Sequence, residues 1–179
     1  MIKVAVLVGS LQEKSFNKML AKNLEEVAPE GVEFHYIDLN LPLFNQDLEA
    51  NYPPEAQRAK DIIEAADGVL FVTPEYNRSV SGVLKNAIDW MSRPWGKNSF
   101  AGKPAGIVGA TISSVGTAVA QADLRHIVVY LGVKLLGQPE VYVANAHSVF
   151  NESGRVDEAT REHLTGYMND LTEWIKNEE

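Results

Sequence analysis

Short runs that are apolar at every position alternate along this chain with longer stretches of helical period, and this alternation restricts the fold more than any single residue. Ile2–Val8 is such a run, ended by Gly9-Ser10. A strand apolar on both sides must be covered on both sides. Phe16, Leu20, Leu24 and Val27 then recur at helical spacing, with Ser15 placed as a cap. Val32, Phe34 and Tyr36 alternate with polar residues and predict a second strand nearer an edge. Asn40 to Pro54 contains Pro42, Pro53 and Pro54 and reads as a loop. Glu55–Ala66 reads as a helix, and Val69–Val72 as a third strand stopped by Thr73-Pro74. Leu84, Ala87, Ile88 and Met91 mark a helix beginning near Ser81-Gly82, and Ala105–Gly109 is a fourth strand. A helix covers roughly Thr117–Leu131, and strand material returns at Val133–Leu136 and Val141–Val143. Leu164, Tyr167, Met168, Leu171, Trp174 and Ile175 form the stripe of a last helix.

Five βα units without repeat or linker predict one domain over residues 1–179. The expected fold is α/β: a doubly wound three-layer sandwich around a five-stranded parallel sheet of order 2-1-3-4-5. The net charge of −8 argues against nucleic acid and anionic membranes as partners. With no cysteine, disulfides, thiolate metal sites and cysteine nucleophiles are excluded. The early apolar run Val4–Val8 is too short for a signal or membrane segment, so a cytoplasmic protein is expected.

In the order 2-1-3-4-5, connections from strands 1 and 3 diverge and open a crevice at the strands' carboxyl ends. Gly9–Asn17 and Pro74–Gly82 border it, with Ala110–Gly116 beside them. The first loop feeds a helix, so its unpaired N–H groups favour an anion, and Ser10, Ser15 and Asn17 add side-chain donors. It carries neither a Walker nor a GxGxxG pattern, and a plain turn with a capped helix explains it equally well. Thr73-Pro74-Glu75-Tyr76-Asn77-Arg78-Ser79 places an aromatic and an amide at the rim, where a flat heteroaromatic ring could lie. Taken alone, that loop is better explained as a proline-terminated strand. His35, His126, His147 and His163 lack metal-ligand spacing, so no metal site is expected. There is no Gly-x-Ser-x-Gly elbow either.

At these loops the sequence resembles the NADPH-dependent FMN reductase family of flavodoxin-like proteins, and within it the bacterial quinone and chromate reductase branch. The resemblance lies in Gly9-Ser10-Leu11 with Ser15-Phe16-Asn17, and in Thr73-Pro74-Glu75-Tyr76-Asn77 continuing through Gly82 to Asn86-Ala87-Ile88-Asp89-Trp90. Further matches are Ala101-Gly102-Lys103-Pro104, Leu124-Arg125 and His163-Leu164-Thr165-Gly166. The resemblance implies bound FMN whose phosphate is wrapped by Ser10, Leu11, Gln12, Glu13, Lys14, Ser15, Phe16 and Asn17. Pro74, Glu75, Tyr76 and Asn77 would run along the isoalloxazine, with Ala110 and Thr111 closing its other side. It also implies a homodimer or homotetramer, with a contact through the helix carrying Trp90. Three departures stand out. Gln12 replaces a common Arg, Ser81 replaces a common Pro and is expected to loosen its turn, and a glycine pair is reduced to Gly116-Thr117.

The implied activity is an NAD(P)H-dependent, FMN-containing oxidoreductase. NADPH or NADH reduces the flavin, which then reduces quinones, azo or nitro compounds, metal oxyanions or free flavin. No acid–base catalytic residue is required. The alternative is a flavodoxin-type electron carrier that does not meet NAD(P)H, with a chain that has lost FMN as a further rival.

Overall fold

A computed structural model describes residues 1–178 of the chain. Strand β1 (Ile2–Val8) lies at the centre of a wholly parallel sheet, flanked by β2 (Val32–Tyr36) and β3 (Gly68–Val72), with β4 (Pro104–Ala110) beyond β3. Register is continuous across the middle, with Val8 opposite Val72 and Val72 opposite Val108. The order β2-β1-β3-β4-β5 is the one expected, with one difference at the far edge. There two short strands share one position: β5 (Lys134–Leu135) pairs with Pro104 and Ala105, and β6 (Val141–Val143) with Val108 to Ala110. Gly137 and Pro139 lie between them and break what would otherwise be one strand.

Alternation along the strands divides the core in two. Val4, Val6 and Val8 pack with Leu20, Leu24, Leu164 and Met168 on one face. Ala5 and Leu7 pack with Ile63, Leu84, Ile88 and Leu124 on the other. The first face is covered by α1 (Phe16–Val27) and α6 (Glu158–Glu178), the second by α2 (Pro54–Ala65), α3 (Gly82–Met91) and α4 (Ala118–Tyr130). A short helix, α5 (Ala146–Val149), follows β6. Because successive side chains of a strand point to opposite faces, uninterrupted apolar runs force this three-layer arrangement.

The segment Asn40 to Pro53 has more structure than its prolines suggest. It contains a 3-10 turn over Gln46–Asn51 and is fastened to α3. The Trp90 indole N–H donates to the Pro42 carbonyl at 2.7 Å, and the Asn86 amide both donates to Pro42 O and accepts from Phe44 N–H. Phe44 and Tyr52 each set a ring edge-on to Trp90, at centroid distances of 5.0 Å. Trp90 is fully buried by its own chain. The helix carrying it therefore presents Lys85 and Asp89 outward instead of its tryptophan.

Lys60 is a second internal tie. Its buried ammonium donates to Met91 O, Lys97 O and Ser99 Oγ, capping the carboxyl end of α3. Burial lowers its pKa from the ordinary lysine value.

Candidate functional site

Three loops leave the carboxyl ends of β1, β3 and β4 side by side and form an open shelf. The first begins at Gly9, whose N–H continues the ladder to Val72 O at 2.9 Å. Leu11, Gln12, Glu13 and Lys14 are exposed, whereas Ser10, Ser15 and Asn17 are buried. Among the described residues, the N–H groups of Leu11, Gln12, Glu13 and Lys14 meet no protein acceptor. Ser15 caps α1 by accepting the Asn17 N–H at 3.2 Å. A row of unspent donors at the positive end of a helix is suited to an anion. Phe16 turns inward and stacks on Phe150.

Asn17 has a different task from the one expected of its side chain. Its Nδ2 donates to Ala110 O at 2.9 Å, and its Oδ1 accepts from Ala110 N–H, also at 2.9 Å. This buried pair of hydrogen bonds joins the start of α1 to the end of β4, so the two ends of the shelf are held at fixed separation. Ala110 is buried and Thr111 half-buried, with Thr111 N–H bonded to Val143 O at 3.0 Å.

The second loop is a miniature hairpin. Tyr76 and Ser79 exchange two backbone hydrogen bonds of 3.0 Å, and Asn77 and Arg78 have φ of 51° and 63°. Two consecutive left-handed residues define a type I′ turn, which asparagine tolerates and arginine ordinarily avoids. Arg78 is kept there by an ion pair of 3.1 Å with Glu75. The other oxygen of Glu75 accepts the N–H groups of Val119 and Ala120 at 3.1 Å each, capping α4. Glu75 thus serves through its side chain as well as its backbone. Pro74 is buried beneath the loop, while Tyr76 and Asn77 are exposed.

Two of the family departures acquire a physical account. Ser81 does not loosen its turn: it donates to Gly9 O at 2.7 Å and accepts Leu84 N–H, so it ties the first loop to α3 and caps that helix. Thr117 adopts φ 67°, a costly conformation for a β-branched residue, and its hydroxyl receives the Gln121 amide at 3.0 Å. Beside it, a Cβ on Gly109 would lie 2.3 Å from both Thr117 Oγ1 and Thr73 O. Only glycine fits where β4 delivers the third loop.

The rim is apolar: Leu11 is 48%, Tyr76 54% and Ile112 63% exposed. Such side chains on three adjacent loops suit a flat hydrophobic ligand. The donor row fits a phosphate and the rim fits a fused ring, so the residues present fit FMN. Among the described residues, no group of three or more His, Cys, Asp or Glu could hold a metal ion. Nor is any described helix long and apolar enough to cross a membrane. Sequence reasoning missed Glu75 as a helix cap, Ser81 as a tie and the 360 Å³ cleft beside the first loop. None had a local signal, since Glu75 caps a helix 44 residues further on and Ser81 ties to Gly9, 72 residues back.

The chain is similar to known proteins over almost its whole length. The sequence profile of the NADPH-dependent FMN reductase family matches residues 2–148. The chain is 45% identical over 178 residues to a 2-hydroxy-1,4-benzoquinone reductase of a Burkholderia species, covering 98% of this chain and 97% of that one. It is 42% identical over 178 residues to an NAD(P)H-dependent FMN reductase of Pseudomonas aeruginosa, covering 98% and 96%. Among solved structures it is similar to FerB of Paracoccus denitrificans, a flavoenzyme NAD(P)H:(acceptor) oxidoreductase. That match has a TM-score of 0.93 and 41% identity, and covers 99% of each chain.

Proposed function

The chain belongs to the NADPH-dependent FMN reductase family, and on that premise we propose that it is an NAD(P)H-dependent flavin oxidoreductase acting on quinones and related small acceptors. The observation that carries this reading is the row of unspent N–H groups at Leu11 to Lys14, set beside an apolar rim. FMN, when bound, would supply the redox chemistry between a nicotinamide donor and an acceptor.

The chain's own residues bind and position. The N–H groups of Leu11 to Lys14, with Ser10 and the α1 terminus, hold the phosphate. Ser15 supports them by fixing the first turn of the helix. The Pro74–Asn77 backbone and the Ala110-Thr111 segment flank the ring. Asn17 and Glu75 act as positioning residues, one fixing β4 against α1 and the other fixing the hairpin against α4. The open shelf leaves one side free for donor and acceptor in turn, which suits a broad acceptor range.

A homodimer or homotetramer is part of the proposal, supported by the exposure of Val129 and Tyr130 on α4, and sedimentation tests it. A cytoplasmic location, where a nicotinamide pool is at hand, is tested by cell fractionation.

The deciding experiment is the absorbance of the purified protein after FMN loading, before and after NADPH under nitrogen. A yellow protein bleached by NADPH is the expected result. A yellow protein that NADPH leaves unchanged would make it an electron carrier, and one that takes up no FMN would end the proposal.

A further inference from the structure

A cleft of about 360 Å³ opens on the β2 side of the first loop and shares Ser10 and Leu11 with the proposed phosphate site. It is of the size of small-molecule sites. Val8, Ile37 and Leu39 form an apolar floor, and Leu11 overhangs it. Lys18 and Lys22 of α1 supply cations on one wall, and Asp38 stands beyond the end of β2.

The two lysines are not equivalent. Lys22 is paired with Glu25 at 2.8 Å and lies 4.3 Å from the centre of the Tyr36 ring. Lys18 has no carboxylate within ion-pair distance among the described residues, and its ammonium is 3.3 Å from Leu11 O. On a chain of net charge −8, a cation left unpaired over an apolar cleft attracts an anion. Asp38 spends one oxygen on the Asn40 N–H at 2.9 Å, while its other oxygen accepts nothing among the described residues.

Floor, cation and acceptor together suit a ligand with a flat apolar part, a hydroxyl donor and a phosphate. In the dinucleotide fold, which has a different strand order and a glycine-rich first turn, an acidic residue after the second strand receives the adenosine ribose. Asp38 stands at the comparable place in this chain, although its first turn lacks those glycines. We propose that this cleft is a subsite for an adenosine phosphate, with the base on Ile37 and Leu39, the ribose on Asp38 and the phosphate on Lys18. The nucleotide has two sources, the adenosine end of the nicotinamide donor or a separate nucleotide. The link to the donor rests on the proposed reductase activity, whereas the affinity for nucleotide does not.

The test uses the FMN-loaded protein, with AMP and adenosine 2′,5′-bisphosphate as calorimetric probes. Both are expected to bind without displacing FMN. Lys18→Glu and Asp38→Asn should each weaken binding about tenfold or more, the loss expected for one charge-assisted hydrogen bond. If the donor's own adenosine occupies the cleft, the probes compete with NADPH and Lys18→Glu raises the NADPH KM by a similar factor at unchanged kcat. If a separate nucleotide does, the probes bind alongside NADPH and its KM does not move. The inference is overturned if neither probe binds, if FMN displaces them, or if both variants bind as the parent does. A protein that binds AMP but is not bleached by NADPH would overturn the reductase reading while leaving the subsite intact.

Discussion

Gln12 occupies the loop position where a forked guanidinium would add most to phosphate binding. The N–H groups around it have no protein acceptor to lose, so Gln12→Arg adds charge without remodelling the turn. Fluorescence titration should show FMN bound about tenfold more tightly by that variant, the scale of one charge-assisted pair. Asn17→Ala acts in the opposite direction and through the fold. Removing the amide leaves Ala110 N–H and C=O buried without partners, a cost of about 3 kcal/mol visible as a lower unfolding midpoint. FMN affinity should fall with it, because the two ends of the shelf lose their common anchor. The donors of the first loop were legible because a capped helix after a turn has a local signature. Asn17 was not, since its partner lies 93 residues away and nothing near Asn17 points to Ala110.

Between helices and loops, the strongest coupling is that of α3 to the segment Asn40 to Pro53. Trp90→Phe keeps an aromatic ring but loses the bond to Pro42 O, costing about 1–2 kcal/mol. Amide exchange should quicken in residues 40–53 and leave β1 and β3 unchanged. At the start of α6, Asp157 accepts Thr160 N–H at 2.8 Å, and these backbone bonds hold its carboxyl below the ordinary range. Asp157→Ala should lower the denaturant unfolding midpoint, because the first turn of α6 loses its cap. A depressed folded pKa means that this stabilisation is present above the ordinary carboxylate pKa and is lost as pH falls through the folded value. Difference unfolding curves of parent and variant should therefore converge in acid. Helices α1 to α4 were readable to within a residue or two from their apolar period, whereas the stripe Leu164–Ile175 marks only part of a helix running Glu158–Glu178, and the four-residue α5 is too short to show a period. The 3-10 turn and its docking were not, because three prolines give a segment the look of an unstructured loop whether or not a tryptophan holds it down.

Across the whole molecule, buried tyrosine hydroxyls work against stability in alkali, Tyr167, Tyr36 and Tyr52 foremost. Burial raises the hydroxyls of Tyr167 and Tyr36 well above the ordinary value, and Tyr36 is raised further by Glu25. Burial, with the neighbouring Glu49, pushes Tyr52 up to about 12. Their unfolded counterparts ionise near 10, so the unfolded chain sheds protons first and stability declines as pH rises above that point. Denaturant midpoints should fall from pH 10 upward, and Tyr167→Phe should flatten the decline. Topology was the most legible property of all, because apolar runs on both faces leave a parallel sheet few alternatives. Only the last strand position departed from it, where residues 136–140 interrupt the pairing of β4. That interruption has a use beyond the fold. An edge of two residues, a break and three more is too short and uneven to serve as a template for a neighbouring chain. A strongly apolar sheet is thereby guarded at this one border, a protection that the unbroken five-residue border at β2 does not share.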